Sequence, residues 1–209
     1  MCLCWRNILE VKMPVISYNS ELFPDWSEVK SCKIIRMSKR YQLQPLTKYA
    51  KTILFVVDGA TEIGDGTGKK MVSAGYVWEP FSEVVWIEPK PLVELLQIGG
   101  CWSNDRGSCG VFRLERSEQA HNDGDPADYD RNTVFDNHFH DCDEYWFIVK
   151  GKGIVISEGK SYNVQAGDCV ITPAGDHHDF PIVYEPILAV WFEGSMKGKK
   201  RPGHLYREK

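Results

Sequence analysis

Imidazole and carboxylate side chains recur at regular spacing in the second half of the chain. His138, His140 and Glu144 are separated by even numbers of residues. Because side chains alternate between two faces of an extended strand, we expect these three on one face. His178 follows a Pro/Gly turn further along and is the predicted fourth ligand. Such a donor set favours one divalent transition-metal ion, Fe, Mn, Zn, Ni or Co, without choosing among them.

Residues beside these ligands are predicted to carry the rest of the chemistry. His177 competes with His178 for the ligand role, because a one-residue shift in the turn would exchange their faces, and we favour His178. His177 and Tyr145 are then the candidate catalytic acid–base groups. Three aromatic residues are predicted to form apolar walls that bind a small organic substrate: Trp146, Phe180 and Trp191.

Strand patterns must position these residues. From residue 34 onward, short runs rich in Val, Ile, Phe, Trp and Tyr are separated by Gly and Pro at intervals of about 8–12 residues. This pattern predicts an all-β fold of the sandwich or barrel kind. A short helix is expected only near Asp25, where an acidic cap residue precedes Glu28.

The chain also shows an internal repeat. Residues 53–59 align with residues 145–151 at an offset of 92, and Ala74-Gly75 meets Ala166-Gly167 at the same offset. We interpret the two segments as one β unit used twice, with chance agreement between two β segments as the alternative. All six histidines lie at or beyond position 121, so chemistry that needs imidazole is confined to the second half.

Four segments follow from this organisation: an N-terminal extension (1–33), a half without ligands (34–100), a metal-binding domain (101–195) and a basic tail (196–209). In the first half, Leu46, Lys48 and Thr52 stand at the offset positions of His138, His140 and Glu144. That half is predicted to be a structural partner or a lid, with a ligand pocket of its own as the alternative. The tail is expected to be a mobile terminus and is assigned no function.

The spacing of these residues resembles the two motifs of the cupin superfamily. The first motif is H-x-H, three or four residues, E, six residues and G, and the second is G-x5-P-x-G-x2-H. The matching residues are His138, His140, Glu144 and Gly151, then Gly167, Pro173, Gly175 and His178. The resemblance implies a double-stranded β-helix, or jelly-roll barrel, in two cupin-like halves with the metal inside the barrel mouth.

Composition and charge limit the partners. With 25 Lys+Arg against 29 Asp+Glu, the formal charge of −4 gives no basic surface for nucleic acid. No apolar run is long enough to span a membrane, and the first twenty residues do not read as a secretory signal. We expect a cytoplasmic protein whose partner is a small molecule, and the sequence leaves a homodimer open.

Three functions fit the predicted site. The favoured one is an isomerase, epimerase or lyase acting on a small sugar or hydroxy acid with the help of an acid–base group. The second is an Fe(II) dioxygenase of a small organic substrate. The third is a non-catalytic module that binds carbohydrates or carboxylates, and fold analogy is the main support for all three.

Overall fold

The computed structural model describes residues 15–17, 23–43, 49–65, 68–80 and 85–207. These residues form two six-stranded antiparallel sheets and contain no helix. The strands are β1 (Val15–Ser17), β2 (Val29–Met37), β3 (Tyr41–Leu43), β4 (Lys51–Asp65), β5 (Gly68–Ser73), β6 (Val77–Trp78), β7 (Val85–Gly100), β8 (Cys109–Leu114), β9 (Glu144–Ser157), β10 (Lys160–Gln165), β11 (Asp168–Thr172) and β12 (His178–Glu193). The all-β prediction is therefore confirmed.

The helix predicted near Asp25 is wrong. Asp25 and Trp26 form a turn, which the Ser27 amide closes by donating to the Pro24 carbonyl at 3.0 Å. The Ser27 hydroxyl bonds to the Val29 carbonyl at 2.7 Å and caps no helix. The chain then pairs with β7 from Val29 onward, so tertiary pairing prevails over the local helix signal.

The two sheets divide the chain. The N-terminal sheet has the order β2-β7-β4-β5, with β3 beside β7 and β6 beside β4. The C-terminal sheet has the order β1-β11-β9-β12-β8, with β10 beside β9. The short strand β1 therefore joins the C-terminal sheet although it lies near the start of the chain, because it pairs with β11.

A shared apolar core lies between the sheets. The β4 and β9 side chains that meet in it are Ile53, Phe55, Val57, Tyr145, Phe147 and Val149. The alternate residues of each strand point away from this core, into an apolar cluster that belongs to one sheet alone. Because side chains alternate, both faces of β4 and β9 are buried. The face of β9 that points away from the shared core also carries the predicted ligand Glu144.

Matching turns, one between β5 and β6 and one between β10 and β11, form hydrogen bonds to β4 and β9. In the first, Gly75 donates its amide to Val56 at 2.8 Å, and in the second Gly167 donates to Ile148 at 2.9 Å. Gly59 and Gly151, which have φ of +80° and +88°, lie within β4 and β9, and their carbonyls accept the amides of Ala74 and Ala166 beside these turns. A Cβ on either glycine would lie 2.2 Å from a backbone carbonyl oxygen, so both positions require glycine.

Candidate metal centre

The structure brings the four predicted ligands together. His138, His140, Glu144 and His178 each offer one donor atom, and these atoms all lie within 4.8 Å of one another. His138 and His178 are paired through backbone hydrogen bonds of 3.2 and 2.8 Å, and Glu144 is the first residue of β9. All four side chains are buried. Their spacing along extended segments therefore places them in one cluster, as the alternation predicted.

Backbone carbonyls orient the three imidazoles. Each Nδ1 lies near a carbonyl oxygen: His138 near Asp136 at 2.8 Å, His140 near Gly203 at 3.0 Å and His178 near Asp176 at 3.1 Å. A carbonyl can only accept, so each Nδ1 carries a proton, and in the neutral imidazole the inward Nε2 presents a lone pair. Neutral imidazoles with inward Nε2 lone pairs are the form that a metal ion requires.

The inward atoms lack good partners among the described residues. The Nε2 atoms of His138 and His140 are 3.1 Å apart, and without protons they cannot bond to each other. His178 Nε2 and Glu144 Oε2 are 2.7 Å apart, yet both are buried and make no hydrogen bond of acceptable geometry. Three nitrogen lone pairs and a carboxylate oxygen that converge in this way fit a divalent cation.

Electrostatics favour the metal-binding forms of Glu144 and His138, whereas the carboxylates of Glu144 and Glu193 outweigh burial and raise the pKa of His140. Burial would raise the pKa of Glu144, but the imidazoles of His140 and His178 hold it well below its ordinary value. Burial lowers the pKa of His138 to about 4, although Asp136 opposes the shift. At neutral pH Glu144 is therefore ionised and His138 is neutral, as metal ligation demands.

A cavity of about 450 Å³ adjoins the cluster. Four aromatic side chains form much of its wall: Phe112, Phe135, Trp146 and Trp191. Trp146 and Trp191 thus lie where the sequence places a substrate wall. Phe180, also predicted for this wall, does not line the cavity, because its side chain is fully buried against Trp146, with ring centroids 5.9 Å apart.

Glu193 forms a polar part of the same cavity wall. Its carboxylate accepts from the Ser108 amide at 2.7 Å and from the Ser108 hydroxyl at 2.8 Å. A Cβ on Gly107 would lie 2.0 Å from the Glu193 Oε2 atom, so a glycine there leaves space for the carboxylate. A buried, fixed carboxylate therefore faces the space beside the metal ligands.

His177 lies on the other side of the strand from His178. Its Nε2 atom is 2.7 Å from Asp125 Oδ2, and its side chain lines a separate cavity of about 460 Å³ with Tyr129 and Arg207. Adjacent strand residues point to opposite faces, so only one of the two histidines can reach the cluster. His178 is that residue, and the structure places His177, a predicted acid–base group, at the separate cavity.

Tyr145 is also placed away from the cavity. Its side chain is fully buried in the core between the sheets. Its hydroxyl lies 3.1 Å from the Ser27 hydroxyl and accepts from the Glu28 amide at 3.0 Å. Because Tyr145 directly follows Glu144, alternation sends it to the opposite face of β9. The structure therefore places Tyr145 away from the metal ligands, where its hydroxyl bonds to the segment before β2.

Three residues near the cluster were missed by the sequence analysis: Asp136, Glu193 and His204. Asp136 lies two residues before His138, so the same alternation could have found it. His204 lies in the tail, with its ring stacked on that of His138 at 3.6 Å between centroids. No local pattern indicates His204 or Glu193, because only the tertiary path of the chain brings them to the site.

The sequence of this chain is similar to known proteins and to one family model. A cupin domain model matches residues 127–192. The uncharacterized protein y4oW of Sinorhizobium fredii (strain NBRC 101917 / NGR234) is 32% identical over 203 residues, which cover 94% of this chain and 92% of that protein. The identity extends over both sheets, so the relationship is not confined to the cluster.

Solved structures share the fold. The protein PA5104 of Pseudomonas aeruginosa PAO1 has a TM-score of 0.55 at 13% identity, covering 79% of this chain and 81% of that chain. A structure of Bacillus subtilis oxalate decarboxylase, described for its Mn(II) centres, has a TM-score of 0.51 at 10% identity. The match covers 80% of this chain and 69% of that chain. At these identities the likeness supports the architecture alone.

Proposed function

This chain belongs to the cupin superfamily, and we propose that it is a metal-dependent enzyme acting on a small organic substrate at the cluster of His138, His140, Glu144 and His178. The observation that carries the proposal is the convergence of three imidazole Nε2 atoms and one carboxylate beside a cavity of about 450 Å³. The manganese centres named for the B. subtilis oxalate decarboxylase structure add support for a metal in this fold.

The ligand set leaves room for a substrate. Four protein donors occupy four of the six positions that Fe, Mn, Ni or Co commonly offers, which leaves about two for substrate or water. The bound ion supplies Lewis-acid polarisation of a substrate oxygen and, if it is redox active, electron transfer with dioxygen as co-substrate. Bound substrate would then extend from the ligands into the ring-lined cavity.

The polar part of the cavity favours proton-transfer chemistry. Ser108 holds Glu193 in place, and Glu193 lines the same cavity as Glu144. Its carboxylate can therefore accept a proton from a carbon or hydroxyl of a substrate bound there. In this proposal Glu193 is the acid–base group at the metal cavity, because His177 and Tyr145 lie away from it. An isomerase, epimerase or lyase of a small sugar or hydroxy acid is therefore the first proposed activity.

The aromatic wall favours the second candidate. Phe112, Phe135, Trp146 and Trp191 offer flat apolar surfaces that suit a substrate with an aromatic or otherwise apolar body. These rings also exclude water from the space next to the ligands. An Fe(II) dioxygenase of a small aromatic or thiol substrate is the proposed activity that uses such a wall best.

The two sheets are, in this proposal, two cupin-like halves of one repeated unit. Support comes from the turns after β5 and β10, where the same backbone hydrogen bonds to β4 and β9 form at the sequence offset of 92. The glycines Gly59 and Gly151 adopt the same left-handed backbone at that offset. Only the second half carries the ligands.

Elemental analysis of purified protein, followed by a thermal-shift screen of sugar acids, hydroxy acids and phenolic acids, tests the activity. A compound that binds the folded protein raises Tm by mass action. Each such compound is then incubated with the metal-loaded protein, and product formation is measured. Oxygen-independent turnover supports the isomerase or lyase, and turnover that consumes oxygen supports the dioxygenase. Tight binding without product under any metal would contradict an enzyme and leave a binding module.

A further inference from the structure

The C-terminal tail, residues 196–207, packs against the segment that carries His138 and His140. Leu205 and Phe139 exchange backbone hydrogen bonds of 3.1 and 2.9 Å, so the tail pairs with the segment between His138 and His140. The Gly203 carbonyl oxygen lies 3.0 Å from His140 Nδ1. A segment expected to be a mobile terminus therefore supplies the hydrogen-bond acceptor that orients a metal ligand.

Ion pairs fasten the tail to the ligand segment. Arg201 donates to both carboxylate oxygens of Asp141 at 3.0 and 2.9 Å, and Lys197 donates to Asp143 at 2.5 Å. Asp141 and Asp143 lie between His140 and Glu144 in the sequence. The buried Asp143 also accepts the Ala174 amide at 2.9 Å, in the turn before His178. The anchors of the tail and the metal ligands thus share the same short segments.

A ring contact adds to these anchors. The rings of His204 and His138 are stacked with a centroid distance of 3.6 Å and an interplanar angle of 4°. Asp136 accepts hydrogen bonds from His204 Nδ1 and from the Tyr206 hydroxyl, both at 2.8 Å. Gly203 and His204 also line the cavity beside the ligands. The tail therefore contacts two of the four ligands directly.

We propose that residues 196–207 act as a strap that completes the metal centre, with Gly203 as a positioning residue for His140. This inference rests on the proposed metal binding of the cluster. The Gly203 carbonyl holds the proton on His140 Nδ1 and so keeps the Nε2 lone pair aimed at the ion. Because the ion binds most tightly when the strap is docked, linkage requires that ion binding also stabilises the docked strap.

A pair of glycine substitutions isolates the role of Gly203. Gly203 and Gly198 have φ of +79° and +54°, and a Cβ at either position would meet nothing within 4 Å. Gly203→Val therefore acts by shifting the backbone and its carbonyl away from His140, and Gly198→Val makes the same kind of change further from the ligands. We expect Co(II) affinity to fall about 10–100-fold in Gly203→Val. Gly198→Val should stay within about threefold of wild type.

Titration of the full-length proteins with Co(II), followed by absorbance and by equilibrium dialysis, measures these affinities. Equal affinity in wild type and Gly203→Val would overturn the strap proposal while leaving the proposed function intact. No Co(II) binding by the wild-type protein would contradict the proposed function itself, and the strap with it. The two failures are therefore distinguishable.

Trypsin digestion of the wild-type protein tests the strap without any variant. The tail offers cleavage sites at Lys199 and Lys200, and linkage predicts that Co(II) slows cleavage there at least severalfold. A chelator should restore the fast rate, and Glu144→Gln should show no effect of Co(II). Cleavage at an unchanged rate in metal-loaded and metal-free wild-type protein would contradict the proposal.

Discussion

The N-terminal and C-terminal sheets bury the same kind of surface and differ in what they place beyond it. Each gives three alternating side chains of one long strand to the shared core. On the outer face of β4 the cluster is apolar, with Leu54 and Val56 among its members. The corresponding face of β9, which carries Trp146 and Ile148, continues to the metal ligands. Similar strands therefore support either packing alone or packing plus a chemical site.

The difference has an energetic meaning. Burying imidazoles and a carboxylate costs free energy unless each group finds a partner, whereas the apolar cluster of the N-terminal sheet carries no such cost. Among the described residues, the groups of His, Cys, Asp and Glu that could hold an ion all lie in the C-terminal half of the chain. An arrangement that costs stability points to a function, since packing would be better served by apolar residues.

Removing single ligands is the change with the largest expected effect. His140→Ala and Glu144→Ala should each reduce bound metal to well below half of the wild-type content, because each removes a donor and leaves a buried cavity. Thr52 in β4 stands at the offset position of Glu144, and His121 is exposed. The Thr52→Ala and His121→Ala variants should therefore retain full metal content. Elemental analysis after dialysis measures this, and equal retention in all four variants would refute the assignment.

Truncation of the shared core should affect the two sheets equally. Phe55 and Phe147 are fully buried at the same offset in β4 and β9. Phe55→Ala and Phe147→Ala should each lower the free energy of unfolding by about 3–5 kcal/mol, the usual cost of such a cavity. Urea unfolding measures both. A cost below about 1 kcal/mol for either one would show that the sheets do not share this core as described.

The glycine turns give a smaller and more specific comparison. Gly59→Ala and Gly151→Ala should each cost about 1–3 kcal/mol through backbone strain, with a further cost from displacing the facing carbonyl. Gly75 and Gly167 also have positive φ, but a Cβ there would meet nothing within 4 Å. Gly75→Ala and Gly167→Ala should therefore lower the free energy of unfolding by less. Urea unfolding of the four variants measures these losses. A larger loss for Gly75→Ala than for Gly59→Ala, or for Gly167→Ala than for Gly151→Ala, would contradict the match between the two sheets.

The smallest effect concerns the ion pair between β4 and β9. Lys150 Nζ lies 2.9 Å from Asp58 Oδ2, and both side chains are about half exposed. Lys150→Ala should lower stability by only about 0.2–1 kcal/mol. Lys150 lowers the pKa of Asp58 in the folded state, so the stabilisation is present above the ordinary pKa and is lost as the pH falls through the lowered one. Urea unfolding near pH 7 and pH 3 should show a larger difference at pH 7 than at pH 3, and an equal difference at both values would contradict the pairing.

The sequence predicts the ligands well and their surroundings poorly, for a physical reason. His138, His140 and Glu144 could be found because strand alternation is a local rule. The same rule separates Tyr145 from Glu144 and His177 from His178, so neither neighbour shares the face of the ligands. Glu193 and the tail residues reach the cluster only through the folded path of the chain, which no spacing in the sequence records.

A crystal structure of the protein grown with Zn²⁺, with diffraction data collected at the zinc absorption edge, tests the central claim most directly. We predict one strong anomalous peak at about 2.0–2.2 Å from Nε2 of each of the three histidines and from a Glu144 carboxylate oxygen. An anomalous map with no peak among His138, His140, Glu144 and His178, or a peak held by other residues, would contradict the metal centre and the function built on it.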